Sequence, residues 1–247
     1  MSMAAVPKAK REQFFEAFGK YVECLATMEA PKVSQGVVPF ESLRALLICT
    51  HLDTLAKARY GGRSSGERFR RLLEREAGQD AIYQLVALER LLDRLHRTNA
   101  DPRAIEAVKA LTKERWRQEI IIRVFDGSEV DVASDVIADR LRAARLAVAP
   151  ESPLANALGI ERYSSIVWRD YRCGLVHETR VLNSGFNLTP NEDREPFYVT
   201  HIEGGAEIPK LIIPTRFLLR TLCCALDLYR QHCNRSDLDP YDKLGIP

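Results

Sequence analysis

The stretch FESLRALLICTHLDTLAKARYGG, residues 40–62, decides the fold class. From Phe40 to Tyr60 it runs without proline or glycine, and Gly61 and Gly62 then stop it, as a helix end requires. Leu43, Leu46, Leu47, Thr50 and His51 form one stripe at the 3.6-residue period, with Ile48, Leu52 and Leu55 beside it. A stripe this broad predicts a central helix covered on most sides.

Working outward, the pattern stays helical. On the N-terminal side a helix is predicted from about Lys8 to Met28, ended by Pro31. On the other side Ser64 and Ser65 precede a short basic helix, Glu67 to Glu76, in which Arg68, Arg70, Arg71 and Arg75 surround Phe69, Leu72 and Leu73. Between Arg59 and Arg75 six arginines face two glutamates, a local charge of +4. Residues 80–97 carry Leu85, Leu88, Leu92 and Leu95 at three-four spacing and read as one helix packed on a neighbour. Asp101 as cap and Pro102 at the first position open a further helix to about Arg117. Ile120 to Phe125 is apolar and fits strand or helix. Asp126-Gly127 marks a turn, and Ser128 with Asp131 resembles a capping box opening a helix to about Val148, before Pro150 and Pro153 break the chain. A helix from about Glu161 through His177 follows, then a polar stretch. Phe197 to Ile202 and Glu207 to Ile213 flank Gly204-Gly205 and predict a hairpin. Pro214 ends it and opens the last helix, with Leu218, Leu222, Ala225, Leu226 and Tyr229 on its apolar face. The expectation is a mainly α, single-domain protein over residues 1–247 with one small β-hairpin before the last helix.

Composition narrows the function classes. At 247 residues, with 46% hydrophobic and 28% charged residues, the chain buries close to three quarters of its extended surface without staples. The longest charge-free run, Val181 to Asn191, is far short of the ~20 apolar residues of a membrane span. Lys8, Lys10 and Arg11 have no apolar segment behind them, so a secretory signal is not expected and the chain reads as cytoplasmic. A net charge of +2 asks for local clustering if nucleic acid is the partner. Six cysteines, at 24, 49, 173, 223, 224 and 233, form no C-x-x-C pair, so reduced buried thiols are expected rather than a zinc site. No phosphate loop, dinucleotide fingerprint or acidic metal cluster is present in the sequence, and neither cofactor nor metal is expected.

One constellation carries chemistry. Tyr171-Arg172-Cys173-Gly174-Leu175-Val176-His177-Glu178 contains Arg-x4-His. The bare spacing class, four to six intervening residues, decides nothing: with 27 arginines and five histidines, chance alone gives about 1.6 matches, and Arg44/His51, Arg90/His96 and Arg194/His201 also fit it. The surrounding phrase does more, because it resembles the Tyr-Arg-Asn-Gly-Leu-Val-His-Glu phrase of HEPN-like bacterial proteins. In that group an earlier helix bears an Asp, then come a Gly-bearing turn and a basic helix with Arg-Phe. Here those are Asp53, the turn Tyr60-Gly61-Gly62, and Arg68-Phe69. The resemblance covers residues 40–76 and 160–232 and leaves 77–150 as an unplaced helical elaboration.

The resemblance implies a HEPN-like helical bundle and a metal-independent endoribonuclease. A toxin-antitoxin or antiphage setting is implied too, with RNA as substrate and an antitoxin or defence partner. Cleaving RNA without a metal needs a base for the 2′-OH, an acid for the leaving 5′ oxygen, and positive charge on the phosphorane. Arg172 suits the phosphate oxygens and His177 suits acid/base work near neutrality. One histidine does not serve as both at once, and HEPN proteins meet this by dimerising so that two motifs face each other. On an ideal helix Arg172 and His177 lie about 140° apart, so Gly174 is expected to loosen or end the helix between them. Asp170, seven before His177, is placed to orient the imidazole, with Tyr171, Cys173 and Glu178 as further supporting residues. Cys173 stands where the family commonly has a polar residue, and a thiol is a weak hydrogen-bonding group. That departure favours the competing reading, a catalytically silent HEPN-like module binding nucleic acid, nucleotide or a protein partner. A third is a plain helical interaction protein.

The remaining candidates read more simply. Arg63, Arg68, Arg70 and Arg71 form either an RNA track or a solvated helix face. His51 reads as a satisfied core histidine, and His96, His201 and His232 have no nameable partner. Asn187-Leu188-Thr189 matches a glycosylation acceptor that has no use in the cytoplasm.

Overall fold

A computed structural model describes residues 8–28, 37–116, 124–178, 194–203 and 206–244. It is mainly helical. Helix α1 (Lys8–Thr27), α2 (Val37–Tyr60) and α3 (Ser65–Glu76) follow in order, the last capped by the Ser64 hydroxyl accepting the Glu67 N–H. Pro31 lies outside the described residues. Helix α2 is central, but its buried face differs from the predicted stripe. Ala45, Ile48, Cys49, Leu52, Leu55 and Ala56 are buried, whereas Leu43 is 48% exposed and Thr50 is also exposed. The helix is apolar almost all round, so its period alone does not select a face. The choice falls to packing against α3 and the last helix, α12 (Thr215–Ser236). Phe14, Phe15 and Phe18 of α1, Phe69 and Leu72 of α3, and Phe217, Leu218 and Leu222 of α12 complete this core.

Residues 77–150 build a second core on its flank. The predicted single helix over 80–97 is in fact α4 (Asp80–Tyr83), strand β1 (Leu85–Val86) and α5 (Leu88–Arg97). Then come α6 (Pro102–Arg115), capped by Asp101 as predicted, β2 (Val124–Asp126), α7 (Gly127–Val130), β3 (Val132–Ala133), α8 (Ser134–Ala143) and α9 (Pro153–Ile160). Leu88, Leu91, Leu95, Val108, Leu111, Ile137 and Leu141 fill this core. The break at residue 84 comes from a distant partner: β1 pairs antiparallel with β3, Leu85 opposite Ala133. The capping box at Ser128 and Asp131 does not form either. Ser128 donates instead to Glu195, and Asp131 is buried, its carboxylate accepting the Leu88 N–H at 2.9 Å and the hydroxyls of Tyr163 at 2.6 Å and Tyr198 at 2.7 Å. The helix predicted from there starts only at Ser134.

The hairpin is present as β4 (Phe197–Glu203) and β5 (Ala206–Ile212), in register from Phe197 opposite Ile212 to Glu203 opposite Ala206. Strand β2 joins its β4 edge, so Val124 and Phe125 of the ambiguous run 120–125 are strand. Gly204-Gly205, residues 120–123, most of the charge-free run's surroundings at 179–193, and the Asn187 acceptor lie outside the described residues. Helix α12 buries the predicted face, Leu218, Leu222, Ala225, Leu226 and Tyr229. None of the described helices is long and apolar enough to cross a membrane.

Candidate functional site

The predicted helix over 161–177 is helical but not uniformly α. After α10 (Tyr163–Ile166) the backbone widens into a π-helical segment, Val167–Cys173, and returns to α-helix in α11 (Gly174–Glu178). The Gly174 N–H reaches the Arg169 carbonyl, five residues back, which is the π pattern. Gly174 itself keeps helical angles, φ −60° and ψ −45°, so it neither loosens nor ends the helix as expected.

Arg172 is half-buried and held from two sides. Its Nη2 lies 3.0 Å from Asp53 Oδ2, and its guanidinium stacks on the Trp168 ring at 4.9 Å. Asp53 offers its other oxygen to Arg68, whose Nη2 is 3.3 Å away. Trp168 packs on Phe69 with ring centroids 5.1 Å apart, and Gly66 lets the start of α3 approach the indole: a Cβ there would sit 2.9 Å from Trp168 Nε1. Three segments far apart in sequence, at 53, 66–69 and 168–172, thus meet around one guanidinium. Trp168 escaped the sequence reading, although its position four residues before Arg172 put it on the same helical face.

The neighbours divide between site and scaffold. His177 is exposed on α11, whose Glu178 side chain lies outside the described residues. Cys173 is half-buried; burial pushes its thiol up while the Arg172 guanidinium pulls it down, and the net shift is upward, so it stays protonated near neutrality. Burial drives Cys49, which sits behind the pair, up to about 12. Tyr171 is buried and its hydroxyl accepts the Ile213 N–H at 2.9 Å, tying the segment to the chain between β5 and α12.

Asp170 is fully buried, and both its oxygens receive guanidinium groups, Arg90 Nη1 on Oδ2 and Arg169 Nε on Oδ1, each at 2.7 Å. This replaces the expected role of orienting His177. Arg90 also donates from Nε to Glu161 at 3.0 Å, and Arg94 Nε does so at 2.6 Å. Burial pushes the Glu161 carboxyl up, but Arg90, Arg169 and Arg94 outweigh it and hold it below its ordinary range. The elaboration therefore clamps the motif segment through α5 and through Asp131 on Tyr163. Nothing in the spacing around Arg90 signals this, because its partners lie 71 and 80 residues away.

The arginines of the basic helix α3 and of the turn before it divide among partners. Arg68 turns to Asp53, Arg63 pairs with Glu67, and Arg71 lies over the Tyr60 ring at 5.0 Å. Arg63, Arg70, Arg71 and Arg75 line one wall of a cleft of about 660 Å³, and Arg162, Arg169 and Trp168 line another. His51 is a satisfied histidine, half-buried between Phe18 and Tyr21 with Nδ1 2.7 Å from the Leu47 carbonyl. His232 has a partner after all, with Nε2 2.8 Å from Arg59 Nη1. His96 is exposed, and the His201 side chain lies outside the described residues. Among the described residues no group of three or more His, Cys, Asp or Glu could hold a metal ion. In comparison with known proteins the chain matches no family model, no curated protein and no solved structure.

Proposed function

We propose that this protein is an endoribonuclease of HEPN type, acting as a homodimer through the Arg172/His177 face. The observation that carries the reading is the seating of Arg172. A guanidinium fixed by Asp53 and Trp168 is preorganised and keeps further N–H donors of its fork for an anion, as stabilising a phosphorane requires. His177 is exposed, where a strand can reach it. In the reaction one His177 removes the 2′-hydroxyl proton, the 2′ oxygen attacks phosphorus, and the P–O5′ bond breaks. The partner's His177 returns a proton to O5′, leaving a 2′,3′-cyclic phosphate and a 5′-hydroxyl. A toxin or antiphage role belongs to the same proposal.

The test is incubation of the purified protein with mixed RNA in excess EDTA, beside Arg172→Ala and His177→Ala. Cleavage by wild type that falls at least about 100-fold in both variants supports the reading. Metal-free cleavage that survives either substitution refutes it, as does a monomeric mass at micromolar concentration. The second reading, a module that binds RNA without cutting it, is favoured by the protonated thiol of Cys173. Wild type that shifts RNA on a gel and leaves it intact establishes that alternative.

A further inference from the structure

Neither Arg172 nor His177 lines the cleft beside α3, although Trp168, on which Arg172 stacks, and Arg169 belong to its wall. Its volume of about 660 Å³ falls within the range of small-molecule sites, roughly 300–1,000 Å³. Six arginines line it against two glutamates, and both glutamates are already engaged: Glu67 with Arg63, and Glu74 with the Ser164 hydroxyl at 2.5 Å and Arg162 at 3.7 Å. Among the described residues Arg70, Arg71 and Arg75 have no carboxylate partner, and Arg70 and Arg71 are half-buried. Holding like charges together at a concave, half-desolvated surface is costly without a counter-charge. We infer that this cleft binds a linear polyphosphate group, as carried by a nucleoside triphosphate or by inorganic polyphosphate.

Two features favour a compact polyanion over a nucleic-acid strand. The three arginines without a carboxylate partner, Arg71 among them stacked on Tyr60, span about 8 Å of helix, a short dense cluster rather than a track. Strand-binding grooves also offer a series of open aromatic faces, and the one aromatic ring lining this cleft, Trp168, is already covered by Arg172 and Phe69. Arginine is the apt residue here because its planar fork pairs with phosphate oxygens two at a time.

Isothermal titration at physiological ionic strength, in magnesium-free buffer, tests this with ATP, inorganic tripolyphosphate and a ten-nucleotide single-stranded RNA as separate probes. Wild type is expected to bind tripolyphosphate or ATP at one site per chain; preference between the two identifies the source. Arg70→Ala/Arg71→Ala should weaken that binding about 10- to 100-fold. Arg75→Ala, at an exposed position where truncation costs little stability, should weaken it several-fold. Absence of binding by both polyphosphates, affinity unchanged in these variants, or RNA alone binding through these arginines would each overturn the inference.

Discussion

Asp131 ties the 77–150 elaboration to α10 and β4, and replacing it gives a measurable consequence. Asp131→Ala leaves three buried donors without an acceptor: the Leu88 N–H and the hydroxyls of Tyr163 and Tyr198. Each unsatisfied buried group costs about 1–3 kcal/mol, so a loss of roughly 3–9 kcal/mol is expected, a large share of a typical 5–15 kcal/mol total. Asp131→Asn separates hydrogen bonding from charge. Its carbonyl accepts the Leu88 N–H, and its amide donates to the phenol oxygens, whose O–H bonds rotate away.

Burial pushes the Asp131 carboxyl from 3.8 up to about 7, against the pull of the three donors. The folded state therefore binds a proton that the unfolded chain releases, so this group's contribution falls as pH rises from about 4 to about 7 and is constant above that. The full shift corresponds to roughly 4 kcal/mol. Urea denaturation of wild type and Asp131→Asn, followed by circular dichroism between pH 4.5 and 8, isolates it: the wild-type stability should decline relative to the variant through this window. Parallel profiles, or an Asp131→Ala loss below about 1 kcal/mol, would refute the argument.

Two further outcomes follow from the clamp and the site. Arg90→Ala strips a guanidinium from buried Asp170 and Glu161 and should cost about 3–5 kcal/mol at pH 7. Because Glu161 is held low, its share of the loss should shrink as pH falls through the carboxylate range, which denaturation at pH 4 and 7 will show. Asp53→Ala removes the carboxylate shared by Arg172 and Arg68 and should cost about 1–3 kcal/mol, yet reduce RNA cleavage about as far as Arg172→Ala. Full cleavage by Asp53→Ala, or no partial recovery in Asp53→Glu, would show that Asp53 does not position Arg172.

The sequence determined what depends on neighbours in the chain. The glycine stop of α2, the Asp101 cap, the hairpin and the apolar face of α12 all follow from local spacing and turn chemistry. Arg172, Asp53 and Arg68, which the sequence pattern singles out, meet in the fold. Tertiary structure alone decided which face of the all-round apolar α2 is buried, and that Leu85 leaves its helix to pair with Ala133. It also took Asp131 from a supposed cap to a buried acceptor and gave Asp170 to Arg90 instead of His177. Each depends on a partner more than 40 residues away, whose position no local period encodes.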